Sequence, residues 1–363
     1  LEPVTGKGGG RLEQSEDCLT VNVWTPVAAG GAGAGLPVLV WLHGGGFASG
    51  SGGEAFYDGG LLAERGRMVV VTVNYRLGAL GYLHLGPDFG PANRGLLDQL
   101  AALRWVRDNA AAFGGDPARV TLAGQSAGAL SALALLALPA ARGLVARAVL
   151  QSAPAGAGPH PVEQALDNGR RFLELLGPGT AEGARQAGVR RLLDAQRALA
   201  GERAEPLSVT PPLQLVAAEG LPADLVAAAP RDIPLLVGTA RDEARAFFPA
   251  EPPDVLAEVT ARRFTEPALR LAGGAASAFA YRFDWAPPGN PLGPCHCVEL
   301  PFLFGAGVDG APADAAWRAA PVLAGADPAE LRRLTAEVQS AWASFAHAGD
   351  PGWPAYPAVR RFA

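Results

Sequence analysis

Residues 119–138 read RVTLAGQSAGALSALALLAL. The apolar run Arg119–Ala123 is predicted as a short strand, and Ala127–Leu138 as a buried helix. Between them Gly124-Gln125-Ser126-Ala127-Gly128 fits G-x-S-x-G, the pattern of a serine nucleophile on a sharp strand-to-helix turn. Glycines flank the serine because such a turn brings neighbouring backbone too close for a Cβ. With ten serines and 47 glycines in 363 residues, chance would supply about 0.17 such patterns, so the strand before it and the helix after it give the match its weight.

Further strands are predicted at Leu19–Trp24, Pro37–Leu42, Met68–Val73, Ala146–Leu150, Ile233–Val237 and near Phe279–Phe283. Met68–Val73 is β-branched, as a strand buried on both faces should be. Leu97–Phe113 has apolar residues at Leu100, Leu103, Val106 and Ala110, a helical period. Strands alternating with helices imply an α/β fold with a mostly parallel central sheet covered on both faces. Residues 153–231 carry no clear strand; Gln164–Leu176 and Ala184–Leu199 fit amphipathic helices. Ala286–Pro294 reads as a loop and Leu331–His347 as a closing helix. The expectation is one catalytic domain, 1–363, with helical cap regions at 153–231 and 252–290.

Immediately after the strand Pro37–Leu42 comes His43-Gly44-Gly45-Gly46-Phe47. A tetrahedral intermediate carries an oxyanion, and backbone N–H groups must point at it. An HGGG-type loop upstream of G-x-S-x-G is the lipase and esterase arrangement, with Gly45, Gly46 and Ala127 as oxyanion donors. A serine needs a base, and the base an acid to orient it, in the chain order serine, acid, histidine. Of His43, His84, His160, His296 and His347, only the last two leave room for an acid first. His347 lies late in a helix; His296 follows a Pro/Gly loop, where an exposed imidazole is expected. Asp242 and Glu243 both follow the strand Ile233–Val237, and spacing does not choose between them.

Hydrophobic residues make up 49% and charged residues 18%, against a disordered chain. A net charge of -5 gives no reason to expect nucleic acid or an anionic membrane as partner. Three cysteines, Cys18, Cys295 and Cys297, make neither a disulfide framework nor a metal set, and no cofactor is expected. No apolar stretch reaches a membrane span and no signal peptide is visible, so a cytoplasmic location is expected.

These residues resemble the type-B carboxylesterase/lipase family, which includes bacterial carboxylesterases of the para-nitrobenzyl-esterase kind and the cholinesterases. The likeness rests on Ser15–Leu19 with Val21–Trp24, Trp41–Phe47, the TVNYRLGALGYL of Thr72–Leu83, Gly95–Gln99 and Phe113–Ala129. In the second half it continues at Gly238–Phe248, Leu292–Gly305 and Ala341–Tyr356. The resemblance implies an α/β-hydrolase fold and selects Glu243 over Asp242 as the triad acid, with His296 as base. It also implies an upstream segment not matched here, so Cys18 is expected as a free thiol and Glu16 without its arginine partner. The shortened interval between Glu243 and His296 implies a reduced helical cap. The function expected is a serine carboxylesterase for small to medium uncharged esters, its partner a small-molecule ester. The alternatives are a non-catalytic binding domain of the same fold or an inactive remnant.

Overall fold

The computed structural model describes residues 2–6, 12–26, 34–177 and 179–363. Eight strands form one sheet: β1 (Val21–Trp24), β2 (Leu36–Leu42), β3 (Val69–Val73), β4 (Gly115–Gln125), β5 (Arg147–Gln151), β6 (Leu235–Ala240), β7 (Ala278–Phe283) and β8 (Val359–Phe362), in the order β1-β3-β2-β4-β5-β6-β7-β8. Only β1 runs antiparallel, pairing Val21 with Val73; every other neighbouring pair is parallel. This is the mostly parallel sheet the sequence predicts, one strand longer: β8 had no apolar run to reveal it.

Side chains alternate across the sheet with period two. Along β2, Val38, Val40 and Leu42 join one buried cluster, and Leu39 and Trp41 the other. Helix α1 (Arg94–Asn109) covers the first face with Leu96, Leu100, Leu103 and Val106. Helix α2 (Ala127–Ala137), buried nearly all round, fills the same side. The second face is covered by Leu334, Val338, Trp342 and Phe345 of α5 (Pro328–Ala348). Burying such side chains contributes about 1.5–3 kcal/mol each, which holds the strand ends, and the loops on them, in fixed positions.

Two expectations shift. The predicted helix Leu97–Phe113 stops at Asn109 and tightens into a 3₁₀ turn over Ala110–Phe113. Ala184–Leu199 is two helices, Ala181–Gln186 and α4 (Val189–Glu202), because Ala187 and Gly188 are both extended at the break. With α3 (Val162–Leu176) they form the helical segment between β5 and β6. It is tied to the start of α1 by Asn93, which sits in the left-handed region at φ 57°. Its Nδ2 donates to the Val216 carbonyl at 2.9 Å, and its Oδ1 accepts from the Val216 N–H at 2.8 Å.

Candidate active site

Ser126 stands between β4 and α2 with φ 57° and ψ −124°, a backbone shape that costs energy in any residue but glycine. The flanking glycines make it possible. A Cβ on Gly124 would lie 2.6 Å from Gly128 backbone, and one on Gly128 only 2.0 Å from the Leu42 carbonyl oxygen. The turn therefore packs directly against the end of β2, which brings the His43–Phe47 loop beside the serine.

That loop is held from beneath by His43. Its Nδ1 lies 2.7 Å from the Gly44 carbonyl, its own carbonyl accepts from Tyr75 Oη at 2.7 Å, and its ring stacks on Tyr75. Burial pushes the imidazole down to about 4, so it is neutral and donates to Gly44 rather than acting as a base. Gly45 and Gly46 have φ of 121° and 61°. They line the same cavity as Ser126 and Ala127, and among the described residues the backbone N–H groups of Gly45, Gly46 and Ala127 donate to no protein acceptor. Unpaired donors lining one cavity beside the serine are what an oxyanion site requires.

Glu243 opens the 3₁₀ turn after β6 and is fully buried. Its Oε1 accepts from the Ala240 N–H at 2.7 Å, and its Oε2 lies 2.5 Å from His296 Nδ1. Asp242 instead pairs with Arg241 at 3.1 Å near the surface, so the geometry separates the two carboxylates. His296 is not exposed as expected; it is completely buried. The rings of Phe247 and Phe264 close over it at 5.0 and 5.4 Å, which the loop composition did not foretell. His347 lies elsewhere, bonded through Nε2 to the Gly66 carbonyl.

Four residues escaped the sequence reading. Phe264 is presented by a π-helical stretch, Ala261–Thr265, a distortion common at functional sites. Phe247 follows the Glu243 turn. Gln125 places Nε2 3.1 Å from His296 Nε2 and 3.4 Å from Cys297 Sγ. Glu299, three residues past the histidine, is buried with Oε1 near Ser152 Oγ and Gln151 Nε2, while Oε2 has no partner among the described residues. Burial, and then the nearby Glu243 charge, push its carboxyl up to about 7. An acid inside the apolar run Val298–Phe304 was the available signal.

Ser126 opens into a cavity of about 200 Å³. Its walls are Phe47, Leu130, Pro154, Val209, Phe247 and Phe264, with Ser49, Thr210 and Gln214 as polar points, and among the described residues no charged side chain lines it. A second cavity of about 240 Å³, beside Arg231 and Arg270, contains none of these groups and lies away from the chemistry. All three cysteines are free, Cys18 among them, and Glu16 is exposed, so its carboxylate stays in contact with solvent. No helix among the described residues is long and apolar enough to cross a membrane.

A model of the carboxylesterase family matches residues 2–272. A probable N-octanoylanthranilate hydrolase of Rhodococcus erythropolis is 41% identical across 100% of this chain and 84% of its own length. The para-nitrobenzyl esterase of Bacillus subtilis is 38% identical across 94% of this chain and 77% of its own. A solved PNB esterase superposes with a TM-score of 0.85 at 35% identity, covering 98% of this chain and 81% of that one. Fold, serine turn and full-chain similarity agree: the chain belongs to the carboxylesterase family, a type-B serine hydrolase of carboxylic esters with the α/β-hydrolase fold.

Proposed function

We propose that Ser126, His296 and Glu243 are the catalytic triad and that Gly45, Gly46 and Ala127 bind the oxyanion. The observation that carries this is the buried 2.5 Å contact between Glu243 Oε2 and His296 Nδ1, set behind a strained serine in a cavity with unpaired backbone donors. Ser126 Oγ attacks the ester carbonyl carbon while His296 Nε2 takes its proton. The carbonyl oxygen becomes an oxyanion facing the three N–H groups. Collapse breaks the bond to the alcohol oxygen, which leaves with the proton from Nε2. Water then attacks the acyl-enzyme by the same route and frees the acid. Glu243 keeps a proton on Nδ1 and stabilises the imidazolium at each transfer.

Substrates are small to medium uncharged esters. Taking a charge into a cavity without a charged partner carries a large desolvation cost, and a cavity of about 200 Å³ admits a short acyl or a single aryl group. Residues 153–231 and 252–290 serve as the cap, since Pro154, Val209, Thr210 and Gln214 come from the first and Phe264 from the second. The test is hydrolysis of 4-nitrophenyl esters from acetate to decanoate, para-nitrobenzyl acetate, and a carboxylated analogue of each. Saturable turnover of the neutral short esters, with kcat/KM at least tenfold lower for the charged ones, supports this scope. Equal rates for neutral and charged esters sink it.

A further inference from the structure

Gln125 is almost fully buried at the end of β4, immediately before the nucleophile. Its carboxamide nitrogen faces His296 Nε2 at 3.1 Å. Which groups donate follows from the neighbours. Glu243 accepts at Nδ1, so the neutral imidazole carries its proton there and its lone pair on Nε2. The amide must then present N–H to that lone pair, since the opposite orientation would set two lone pairs against each other. The second amide hydrogen has its own acceptor in Cys297 Sγ at 3.4 Å, and Cys297 itself sits in the left-handed region at φ 76°. Both hydrogens of the Gln125 amide are thus committed to the loop that carries the base.

This lone pair is the one Ser126 needs. Among the described residues no hydrogen bond joins Ser126 Oγ to the imidazole, and the contact at Nε2 is made by Gln125. A neutral donor at Nε2 favours the unprotonated ring. Once the ring is protonated, Nε2–H and the amide N–H are two donors face to face. We propose that Gln125 is a positioning residue for the base: its amide holds His296 Nε2 unprotonated in the resting enzyme, and Ser126 Oγ–H displaces it when the nucleophile is engaged. The latch slows acylation by the cost of breaking one hydrogen bond. It rests on His296 being the base.

The other ionisable groups around the imidazole are Glu243 at Nδ1, Glu299, Cys295 and Cys297; Phe247 and Phe264 are uncharged. All stay in place in Gln125→Met, which keeps the length but cannot donate, and in Gln125→Glu, which can only accept from a protonated ring. The experiment is the pH profile of kcat/KM on 4-nitrophenyl acetate, together with the rate at which a neutral sulfonyl fluoride labels Ser126. In Gln125→Met the acid limb should move up by about half to one pH unit, the size set by one hydrogen bond, and labelling on the alkaline plateau should quicken about two- to tenfold. In Gln125→Glu the acid limb should move up by more than about one unit. An acid limb that stays in place in both variants overturns the proposal, and so does a Met variant whose rate falls with its profile unmoved. Should one variant fail to fold, the other still gives the shift. His296→Ala separates the two levels: retained activity there removes the base itself, whereas an inactive His296→Ala beside unshifted Gln125 variants removes only the latch.

Discussion

Glu299 offers a stability test in which sign and size both follow from the structure. Its carboxyl is fully buried, and its folded-state value is raised from 4.5 to about 7, first by desolvation and then by the Glu243 charge. For an acid with a raised value, the folded protein holds the proton over a range in which the unfolded chain has released it. Stability is therefore greatest below the unfolded value and is lost as pH rises from about 4.5 through 7. Between pH 5 and pH 8 the loss is about 2 to 3 kcal/mol. His43 acts in the opposite sense. Burial lowers it from 6.5 to about 4, so its share of stability is present above 6.5 and is lost as pH falls toward 4. The two offset each other in the wild type, so the measurement must be a difference. Glu299→Gln removes one titration and leaves the other. Urea unfolding at pH 5 and pH 8 should show wild-type stability falling relative to Glu299→Gln by about 2 to 3 kcal/mol across that interval. A wild-type-minus-variant difference that is the same at both pH values would refute the reasoning that burial holds this carboxyl neutral.

Glu243→Gln should keep its amide oxygen on the Ala240 N–H and turn its NH₂ toward His296 Nδ1, forcing the imidazole proton onto Nε2. With no lone pair left for Ser126, kcat should fall by about 10⁴-fold while the melting temperature changes little; a fall below tenfold would remove Glu243 from the triad. Gly128→Ala sets a Cβ 2.0 Å from the Leu42 oxygen, and a loss of about 3 kcal/mol or more in thermal unfolding is expected; an unchanged melt would mean the turn is looser than it stands. In the native protein a thiol reagent should reach only half-buried Cys18. Cys295, pushed up to about 12, and Cys297, also raised by burial, should react only after unfolding; three native thiols would contradict their burial.

The parts legible in the sequence are those imposed by local backbone. The serine turn could be read because Gly124 and Gly128 have no room for a side chain. The HGGG loop could be read because Gly45 and Gly46 adopt backbone angles that favour glycine. The parallel sheet was legible from apolar runs such as Val69–Val73, buried on both faces. What stayed hidden depends on long-range packing. Asp242 and Glu243 are neighbours that spacing does not separate; the family resemblance chose Glu243, and in space Asp242 pairs with Arg241 while Glu243 turns inward. His296 was expected on an exposed loop because the Phe247 and Phe264 rings that cover it lie at least 32 residues away in the chain. Gln125 left one trace: it shares a strand face with buried Ala123, an unusual place for an amide without a buried partner. The edge strand Val359–Phe362 left none, because its two arginines face solvent and only Phe362 is buried.

The most direct test of Ser126 as nucleophile is to trap it. The enzyme is titrated with a neutral aryl phosphonate while residual hydrolysis of 4-nitrophenyl acetate is followed, and the adduct is then located by peptide mass spectrometry. The expected result is one adduct per chain, on the peptide carrying Ser126, with activity lost in proportion to labelling and no adduct in Ser126→Ala. Hydrolysis that persists with Ser126 fully labelled, or an inactivating adduct on any other residue, would contradict it.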